Sequence, residues 1–272
     1  MKNTLGYSAA TLTLLMLFPL QGFTQDGGEA SLKLSGGMAV APVYQGASSY
    51  SAEPLYDIEA GYAKSAWGDF SLGLSEGARW QLPLSGPFGI AFLAGYDAGR
   101  DEEVKTLSGR NKRLKGMGDL KGAFETGIEL SYKFDAFHAY VKGMQATKTR
   151  RYGGEDLGHT AYVDLGVAAV YPLSDALTLS TDLSTIWANS GYQRGYFGVT
   201  QSQAQQTSFA AYRPGSGFNQ VALNSALNYQ WTPEIAFQAG VGIYTLLGDA
   251  AKSPIVEKKV AGVAFLSASY SF

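Results

Sequence analysis

The sequence predicts an all-β chain that forms a transmembrane, antiparallel, up-and-down β-barrel, and three observations point to it. Apolar and polar residues alternate with period two in segment after segment of the 272 residues. Aromatic residues collect at the ends of these segments, and the connections between them are alternately short and long. Charged residues make up only 16% of the chain, below the share of about 25% in typical soluble domains.

The chain is predicted to begin with a secretory signal peptide, residues 1–25, followed by a single barrel domain, residues 26–272. Lys2 supplies a positive charge, residues 9–20 are mostly apolar, and polar sequence with glycine follows. The apolar stretch is shorter than the roughly 20 residues that a membrane-spanning helix needs. There is no A-x-A triplet, so we expect cleavage somewhere between Gly22 and Asp26.

Residues 122–134 show the alternation clearly. Phe124, Ile128 and Leu130 share one face of the predicted strand, whereas Glu125 and Glu129 lie on the other. The same pattern runs through residues 32–40, 56–62, 88–96, 137–143, 161–171, 177–187, 221–231, 235–243 and 263–272. Period two over this many segments predicts strands, each with one apolar and one polar face.

A soluble sandwich and a membrane barrel share this signal, and the membrane barrel explains more of the sequence. Mid-strand charges occur on the polar face, as a wet lumen allows, at Glu125, Glu129, Asp164 and Asp182. The strand ends carry Phe134, Tyr171, Trp187, Tyr229, Trp231 and Phe272, as a membrane interface favours. Short connections are residues 84–87, 135–136, 172–175 and 232–233; long ones are residues 100–121, 148–159, 188–218 and 247–260.

The direction of the chain agrees with a barrel in the outer membrane of a Gram-negative bacterium. If Phe272 lies at the periplasmic rim, all the long loops become extracellular and all the tight turns become periplasmic, as in such barrels. The predicted surroundings are therefore outer-membrane lipid and lipopolysaccharide.

The strand count depends on residues 69–84. Eleven spanning segments are apparent, whereas single-chain barrels of this class have an even number. If residues 69–84 form one strand, Glu76 lies on the lipid face, unless Gly77 forms a bulge. If they form a hairpin that turns at residues 75–77, Glu76 leaves that face, and we expect about twelve strands. Ten strands remain an alternative if the first segment does not span.

The last strand has an apolar face that ends in Tyr270 and Phe272. This pattern resembles the terminal signal that the barrel-assembly machinery recognises, which implies that machinery as a partner. The alternative is an ordinary final strand.

Composition argues against most kinds of catalytic site. The chain has no cysteine and only two histidines, and its formal net charge of -2 gives no general affinity for nucleic acid. His138 is predicted to face the lumen among polar neighbours. His159 lies in a loop three residues after Asp156, so an acid–base pair at the barrel rim is the one catalytic alternative considered. We therefore expect no enzyme activity, no cofactor and no metal site.

Three further groups are candidate functional residues. Glu125, Glu129, Asp164 and Asp182 are interpreted either as a cation-selective lining or as acids paired with Lys133, Lys142 and other bases in a plugged interior. Arg110, Lys112, Arg113 and Lys115 are interpreted either as contacts to lipopolysaccharide phosphates or as solvated loop charge. Tyr192, Tyr196, Phe197 and Tyr212 are interpreted either as a contact patch or as an inward-folded plug.

Several loop motifs resemble the MipA/OmpV family of outer-membrane proteins. They are GYQRGYFGVTQSQA (residues 191–204), AAYRPGSGF (210–218), GDAAKSPIVEKK (248–259) and, more weakly, APVYQGASSY (41–50) and LKGMGDLKGAFETGIELSY (114–132). The resemblance implies a barrel without known catalytic residues. The family is named for a member that interacts with a murein lytic transglycosylase. Some members are described as scaffolds that join a murein hydrolase to a murein synthase, and others as adhesins or as proteins linked to antibiotic or osmotic stress.

Three functional hypotheses follow. The first is a scaffold linked to murein-remodelling enzymes or to envelope maintenance, as the resemblance implies. The second is a narrow channel or uptake pore for small solutes. The third is a hydrolase at the barrel rim that uses His159.

Overall fold

The computed structural model describes residues 29–107 and 109–272, so the predicted signal peptide, residues 1–25, lies outside the described residues. The strands are β1 (Glu29–Pro42), β2 (Tyr50–Ser65), β3 (Gly68–Gly73), β4 (Gly77–Gln81), β5 (Phe88–Arg100), β6 (Val104–Thr106), β7 (Gly109–Asn111), β8 (Leu120–Phe134), β9 (Phe137–Ala146), β10 (Arg150–Tyr152), β11 (Glu155–Gly158), β12 (Ala161–Pro172), β13 (Leu177–Ala188), β14 (Gly217–Gln230), β15 (Ile235–Leu246) and β16 (Val260–Ser271).

Twelve of these strands form one closed antiparallel barrel, which confirms the predicted fold class and strand number. Their order around the wall is β1-β16-β15-β14-β13-β12-β9-β8-β5-β4-β3-β2. The first and last strands close the barrel, with Lys33 opposite Ser271 and Val40 opposite Ala264. Each barrel strand therefore has a neighbour on both sides along at least part of its length, and the sheet has no terminal strand.

Exposed and buried side chains alternate along the strands with the predicted period of two. Phe124 and Val241 are 70% and 61% exposed on the outer surface, whereas Asp182 is 1% exposed inside. An outside that is apolar and an inside that is polar is the arrangement a barrel needs in lipid.

The two ends of the barrel differ. The turn end has connections 66–67, 82–87, 135–136, 173–176 and 231–234, together with Phe272. The loop end has connections 43–49, 101–119, 147–160, 189–216 and 247–259. The two-residue turn after β8 places Asp135 at φ 54°, a conformation that aspartate tolerates better than most residues.

The ambiguous segment, residues 69–84, is a hairpin of two short strands. β3 ends at Gly73, residues 74–76 turn, and β4 begins at Gly77, one residue earlier than the turn predicted at 75–77. Gly77 has φ +77°, and a Cβ there would lie 2.2 Å from the carbonyl oxygen of Ala94, so glycine is required. Glu76 lies in the turn, as the hairpin interpretation expects, and the twelve-strand count is correct.

The long loops contain structure that the sequence pattern does not reveal. Two small hairpins, β6–β7 and β10–β11, stand at the loop end. The longest loop carries helices α1 (Ser190–Phe197) and α2 (Gln201–Gln206), and the last loop a 3-10 turn (Ala250–Lys252). Asn189 caps α1, and Thr200 forms a capping box with Gln203 on α2. Within residues 29–107 and 109–272, no helix has the length and apolar character needed to cross a membrane.

All five loops meet in one packed core, which we call the loop-end cap. Its buried side chains include Val43, Tyr44, Leu114, Met117, Tyr152, Leu157, Tyr192, Tyr196, Phe197, Phe209 and Ile255. They pack on lumen-facing residues at the loop end of the wall, such as Ala222 and Tyr244. The cap therefore fills the loop-end mouth of the barrel.

Candidate functional site

The candidate site is the polar lumen beneath the loop-end cap, where acids and bases meet across neighbouring strands. Both guanidinium NH groups of Arg79 on β4 donate to the carboxylate of Glu129 on β8, at 3.0 and 2.8 Å. The ammonium of Lys142 on β9 lies 3.5 Å from Asp164 on β12. Two of the four predicted lumen carboxylates are thus held in ion pairs.

The other two predicted carboxylates are also buried. Asp182 accepts a hydrogen bond from the hydroxyl of Tyr140 at 3.1 Å. Glu125 is 4% exposed, and its Oε1 has no hydrogen-bond partner among the described residues. Lys133, suggested from sequence as a partner for these acids, is exposed near the turn end.

Sequence reasoning did not name Arg79 as the partner of Glu129. Arg79 lies in the segment whose strand count was uncertain, so its face could not be assigned. Once that segment is a hairpin, Arg79 alternates with the outward Trp80 and faces the lumen. The face of Arg79 can therefore be assigned from sequence only when residues 69–84 are treated as two strands.

A second group that the sequence did not reveal ties the cap to the wall. Asp97 on β5 accepts hydrogen bonds from Arg150 on β10, at 2.5 Å, and from the hydroxyl of Tyr196 on α1. Arg100 donates to the carbonyl oxygen of Tyr196 at 2.5 Å and to the hydroxyl of Tyr152 at 2.7 Å. The alternation along β5 predicts that Asp97 faces the lumen, opposite to the outward Tyr96. Arg150 lies on the short strand β10 within a long loop, where no apolar–polar alternation predicts its position.

The environment of Tyr196 favours its neutral form. Burial, followed by the negative charge of Asp97, raises the pKa of the Tyr196 phenol well above its usual value of 10.0. The hydroxyl therefore remains a hydrogen-bond donor to Asp97 at neutral pH. Burial likewise raises the pKa values of Tyr44 and Tyr192 in the same cap.

The four aromatic residues singled out in the longest loop lie in or beside the cap. Tyr192, Tyr196 and Phe197 are buried, and the rings of Tyr192 and Tyr196 have centroids 4.6 Å apart. Tyr212 is partly buried and donates to the carbonyl oxygen of Asp249 at 2.9 Å. Three of the four are thus packed inward.

The four basic residues suggested from sequence lie at the loop end of the barrel and are exposed, apart from the contacts described next. Arg110 and Lys115 both contact Glu103, at 3.6 and 3.2 Å. Arg113 contacts Glu257 at 3.5 Å and lies over the ring of Phe209. The hydrogen bond from Lys115 lowers the pKa of Glu103. Lys112 is exposed.

The two histidines occupy unremarkable polar surroundings. His138 faces the lumen beside Tyr140, with ring centroids 6.1 Å apart. Nδ1 of His159 is hydrogen-bonded to the carbonyl oxygen of Ala146 at 2.8 Å, while Asp156 accepts from the backbone of Gly158. His159 and Asp156 therefore bind backbone groups in these contacts. Among the described residues, no three His, Cys, Asp or Glu side chains are grouped to hold a metal ion.

The terminal aromatic residues stand on the outer surface at the turn end. Tyr270 and Phe272 are exposed, and their rings pack edge to face with centroids 4.7 Å apart. The backbone N–H of Phe272 donates to the carbonyl oxygen of Leu32 at 2.9 Å, which anchors the chain end to β1.

Several solved structures are similar in outline. An outer membrane channel from Pseudomonas putida F1 is 12% identical, with a TM-score of 0.46 over 94% of this chain and 100% of that one. The translocator domain of the autotransporter NalP from Neisseria meningitidis is 8% identical, with a TM-score of 0.44 over 92% of this chain and 91% of that one. The NanC porin is 10% identical, with a TM-score of 0.42 over 88% and 98% of the two chains. No curated protein matches the sequence.

The comparison with protein families matches most of the chain. A profile described as MltA-interacting protein MipA matches residues 34–272, from the first barrel strand to the last residue. That stretch includes residues 34–42 of β1, the other eleven barrel strands in full and all five loops of the cap. The chain therefore belongs to the MipA family of outer-membrane β-barrel proteins.

Proposed function

We propose that this outer-membrane barrel is an interaction protein that holds a murein-processing enzyme at its periplasmic turn end. The observation that carries the proposal is the loop-end cap, because five loops bury a common apolar core across the mouth. An open pore needs a continuous wet path lined by polar groups. The family description, which names an interaction with MltA, supports the same role.

The turn end has features of a fixed docking platform. Its connections are short and internally bonded: the N–H of Leu173 donates to the carbonyl oxygen of Leu177 at 2.8 Å, and the hydroxyl of Thr232 donates to Glu234 at 2.9 Å. Asp135, Asp175 and Glu234 are exposed there. A rigid surface loses little conformational entropy on binding, which favours a stable complex.

Site-specific photocrosslinking tests the proposal. A photoreactive amino acid at Asp175 or Glu234 should trap a murein hydrolase or synthase in intact cells. The matched control is Gln205, which is exposed on α2 at the opposite end. Crosslinks to murein enzymes from the turn end, with none from Gln205, would support the proposal. Absence of such crosslinks at both turn-end positions would refute it.

A narrow channel is the second candidate, and the lumen favours it. Buried oxygens of Glu125, Asp164 and Asp182 lack protein partners among the described residues, and such groups are usually satisfied by water. A wet lumen can conduct if the cap opens. Steady single-channel steps in planar bilayers would support the channel, whereas a silent intact barrel would support the interaction protein.

A further inference from the structure

One section of the barrel wall has only part of the usual height. The β2–β3 ladder ends at Glu59 opposite Gly73, and the β4–β5 ladder begins at Ala78 opposite Ala94. Beyond these points, residues 51–57 of β2 and 95–100 of β5 continue toward the loop end, and no strand from the described part of the chain lies between them. Seven strand residues correspond to about 23 Å.

This section is bounded on all four sides, and we call it the wall window. β2 and β5 form its sides, and the turn 74–76 forms its lower edge, where the N–H of Leu74 donates to the carbonyl oxygen of Ile58. The β6–β7 hairpin lies above, where Asn111 donates to the hydroxyl of Ser49 at 2.9 Å. Where β3 and β4 lie between them, β2 and β5 are three strand spacings apart, which is about 14 Å.

An apolar groove on the lipid side leads down from the window. It has a volume of about 520 Å³ and is lined mainly by Ala60, Tyr62, Phe70, Leu72, Trp80 and Phe92. The rings of Phe70 and Trp80 stack with centroids 5.7 Å apart, and Phe92 lies 5.5 Å beyond Trp80. The volume is within the range of about 300–1,000 Å³ for small-molecule sites, and the bilayer supplies alkyl chains to this face.

The lumen side of the window is acidic. Asp57 accepts from the N–H of Ser75 at 3.1 Å, and Glu76 lies in the same turn. The nearest bases are already paired, Lys33 with Glu59 at 2.6 Å and Arg79 with Glu129 at 2.8 Å. Asp57 and Glu76 form no ion pair within the described part of the chain, so they are available to a cationic group.

We propose that the wall window is a lateral portal through which a single-chain cationic amphiphile reaches the lumen from the outer leaflet. The alkyl chain lies in the groove and points toward the bilayer centre, and the cationic head lies at Asp57 and Glu76. This orientation matches that of any amphiphile in the outer leaflet, with its head outward and its tail inward. The portal bypasses the loop-end cap and is independent of the interaction role proposed above.

Alkyl-maleimide labelling of single-cysteine variants tests the opening, since the chain has no cysteine of its own. Leu55 and Ala39 belong to one buried lumen cluster, but Leu55 is on the window strand, whereas Ala39 is on β1, paired on both sides. In lipid vesicles, N-dodecylmaleimide should label Leu55→Cys about tenfold faster than Ala39→Cys. This ratio is equivalent to a difference of about 1.4 kcal/mol in the free energy of reaching the two thiols. Equal rates in folded protein would overturn the portal.

A variant that blocks the window controls for a difference in intrinsic reactivity between the two cysteine thiols. A Cβ at Gly95, on the opposite side of the window, meets only ordinary contacts, Met144 Cε at 3.8 Å and Glu76 O at 3.9 Å. The Cβ of a substituted residue therefore fits, and in protein whose folding is verified by heat-modifiable gel migration, Gly95→Trp should reduce Leu55→Cys labelling to the rate of Ala39→Cys. Labelling that is unchanged in the folded blocked protein would contradict entry through the window.

Competition tests the chemistry of the head. Dodecyltrimethylammonium should protect Leu55→Cys from labelling, whereas dodecanoate, with the same chain length and the opposite charge, should not. The double variant Asp57→Asn, Glu76→Gln should keep fast labelling but lose the protection. Equal protection by both amphiphiles, or protection that survives in the double variant, would overturn the assignment of the head to these carboxylates.

Discussion

Arg150 lies 2.5 Å from the carboxylate of Asp97, and this ion pair joins the β10–β11 hairpin to the barrel wall. The side chains are 4% and 10% exposed, so the pair is shielded from water. Arg150 also donates to the carbonyl oxygen of Lys121 at 2.5 Å, and Asp97 accepts from Tyr196. One carboxylate thus connects β5 to two different loops of the cap.

Removing that carboxylate should loosen the cap. Asp97→Asn leaves the buried guanidinium of Arg150 without its counter-ion, and breaking a buried pair costs about 3 kcal/mol. Proteolysis of residues 189–216 in folded barrels should become several-fold faster. Glu103→Gln is the control, because Glu103 contacts exposed bases at the surface. A cap that resists protease equally in both variants would contradict this role of Asp97.

The cap should also weaken at alkaline pH. The folded pKa of Tyr196 is raised above its usual 10.0, so its stabilising contribution is complete below about pH 10 and is lost as the pH rises toward the folded pKa. Tyr44 and Tyr192 shift in the same direction. Protease sensitivity of residues 189–216 should therefore rise above about pH 10. Tyr196→Phe should be less stable at neutral pH and show a shallower alkaline dependence.

The barrel could be predicted because successive residues of a wall strand face lipid and lumen in turn. Apolar and polar residues therefore alternate along the sequence with a period of two. Thus Phe124 and Glu125 were placed on opposite faces correctly. The cap could not be predicted in the same way, because α1 and α2 are short and their buried sides carry Gln193 and Gln203 as well as aromatic residues. No apolar stripe distinguishes them from irregular loop.

The ion pairs show the same limit on what the sequence pattern can predict. Lys142 and Asp164 lie opposite one another on neighbouring strands, so alternation and strand order are sufficient to suggest their contact. Asp97 and Arg150 are separated by 53 residues, and Arg150 is outside the barrel strands. Their contact depends on how a loop folds back over the mouth, which the wall pattern does not determine.

Gly166 is required by the ring of Tyr140. A Cβ at Gly166 would lie 2.4 Å from that ring, which is held by its hydrogen bond to Asp182. Gly166→Ala should therefore lower the free energy of unfolding by about 1–3 kcal/mol, as overpacking does. Gly143→Ala, on the neighbouring strand β9, is the control because a Cβ there has nothing within 4 Å. Urea titration of folded barrels in lipid vesicles measures both, and equal stability would contradict the packing argument.

The basic loop should bind lipopolysaccharide phosphates. Replacing Arg110, Lys112, Arg113 and Lys115 with glutamine should reduce the lipopolysaccharide that co-purifies with the barrel, because charge-assisted contacts to phosphate are lost. The matched control removes four other exposed loop-end bases: Lys148, Arg151, Lys258 and Lys259. A larger loss in the first variant is expected. Equal lipopolysaccharide content in the two variants would mean that the four residues have no specific role.

The terminal residue should matter for assembly more than other aromatic residues at the same end. Phe272 and Phe134 are both exposed at the turn end, 68% and 43% respectively. Either ring can occupy the membrane interface, but only Phe272 follows the closing strand β16, where we expect the barrel-assembly machinery to bind. Phe272→Ser should lower the yield of heat-modifiable barrel in the outer membrane several-fold, and Phe134→Ser should change it little. If both variants assembled equally poorly, loss of interfacial anchoring would explain the result and the terminal signal would not be needed.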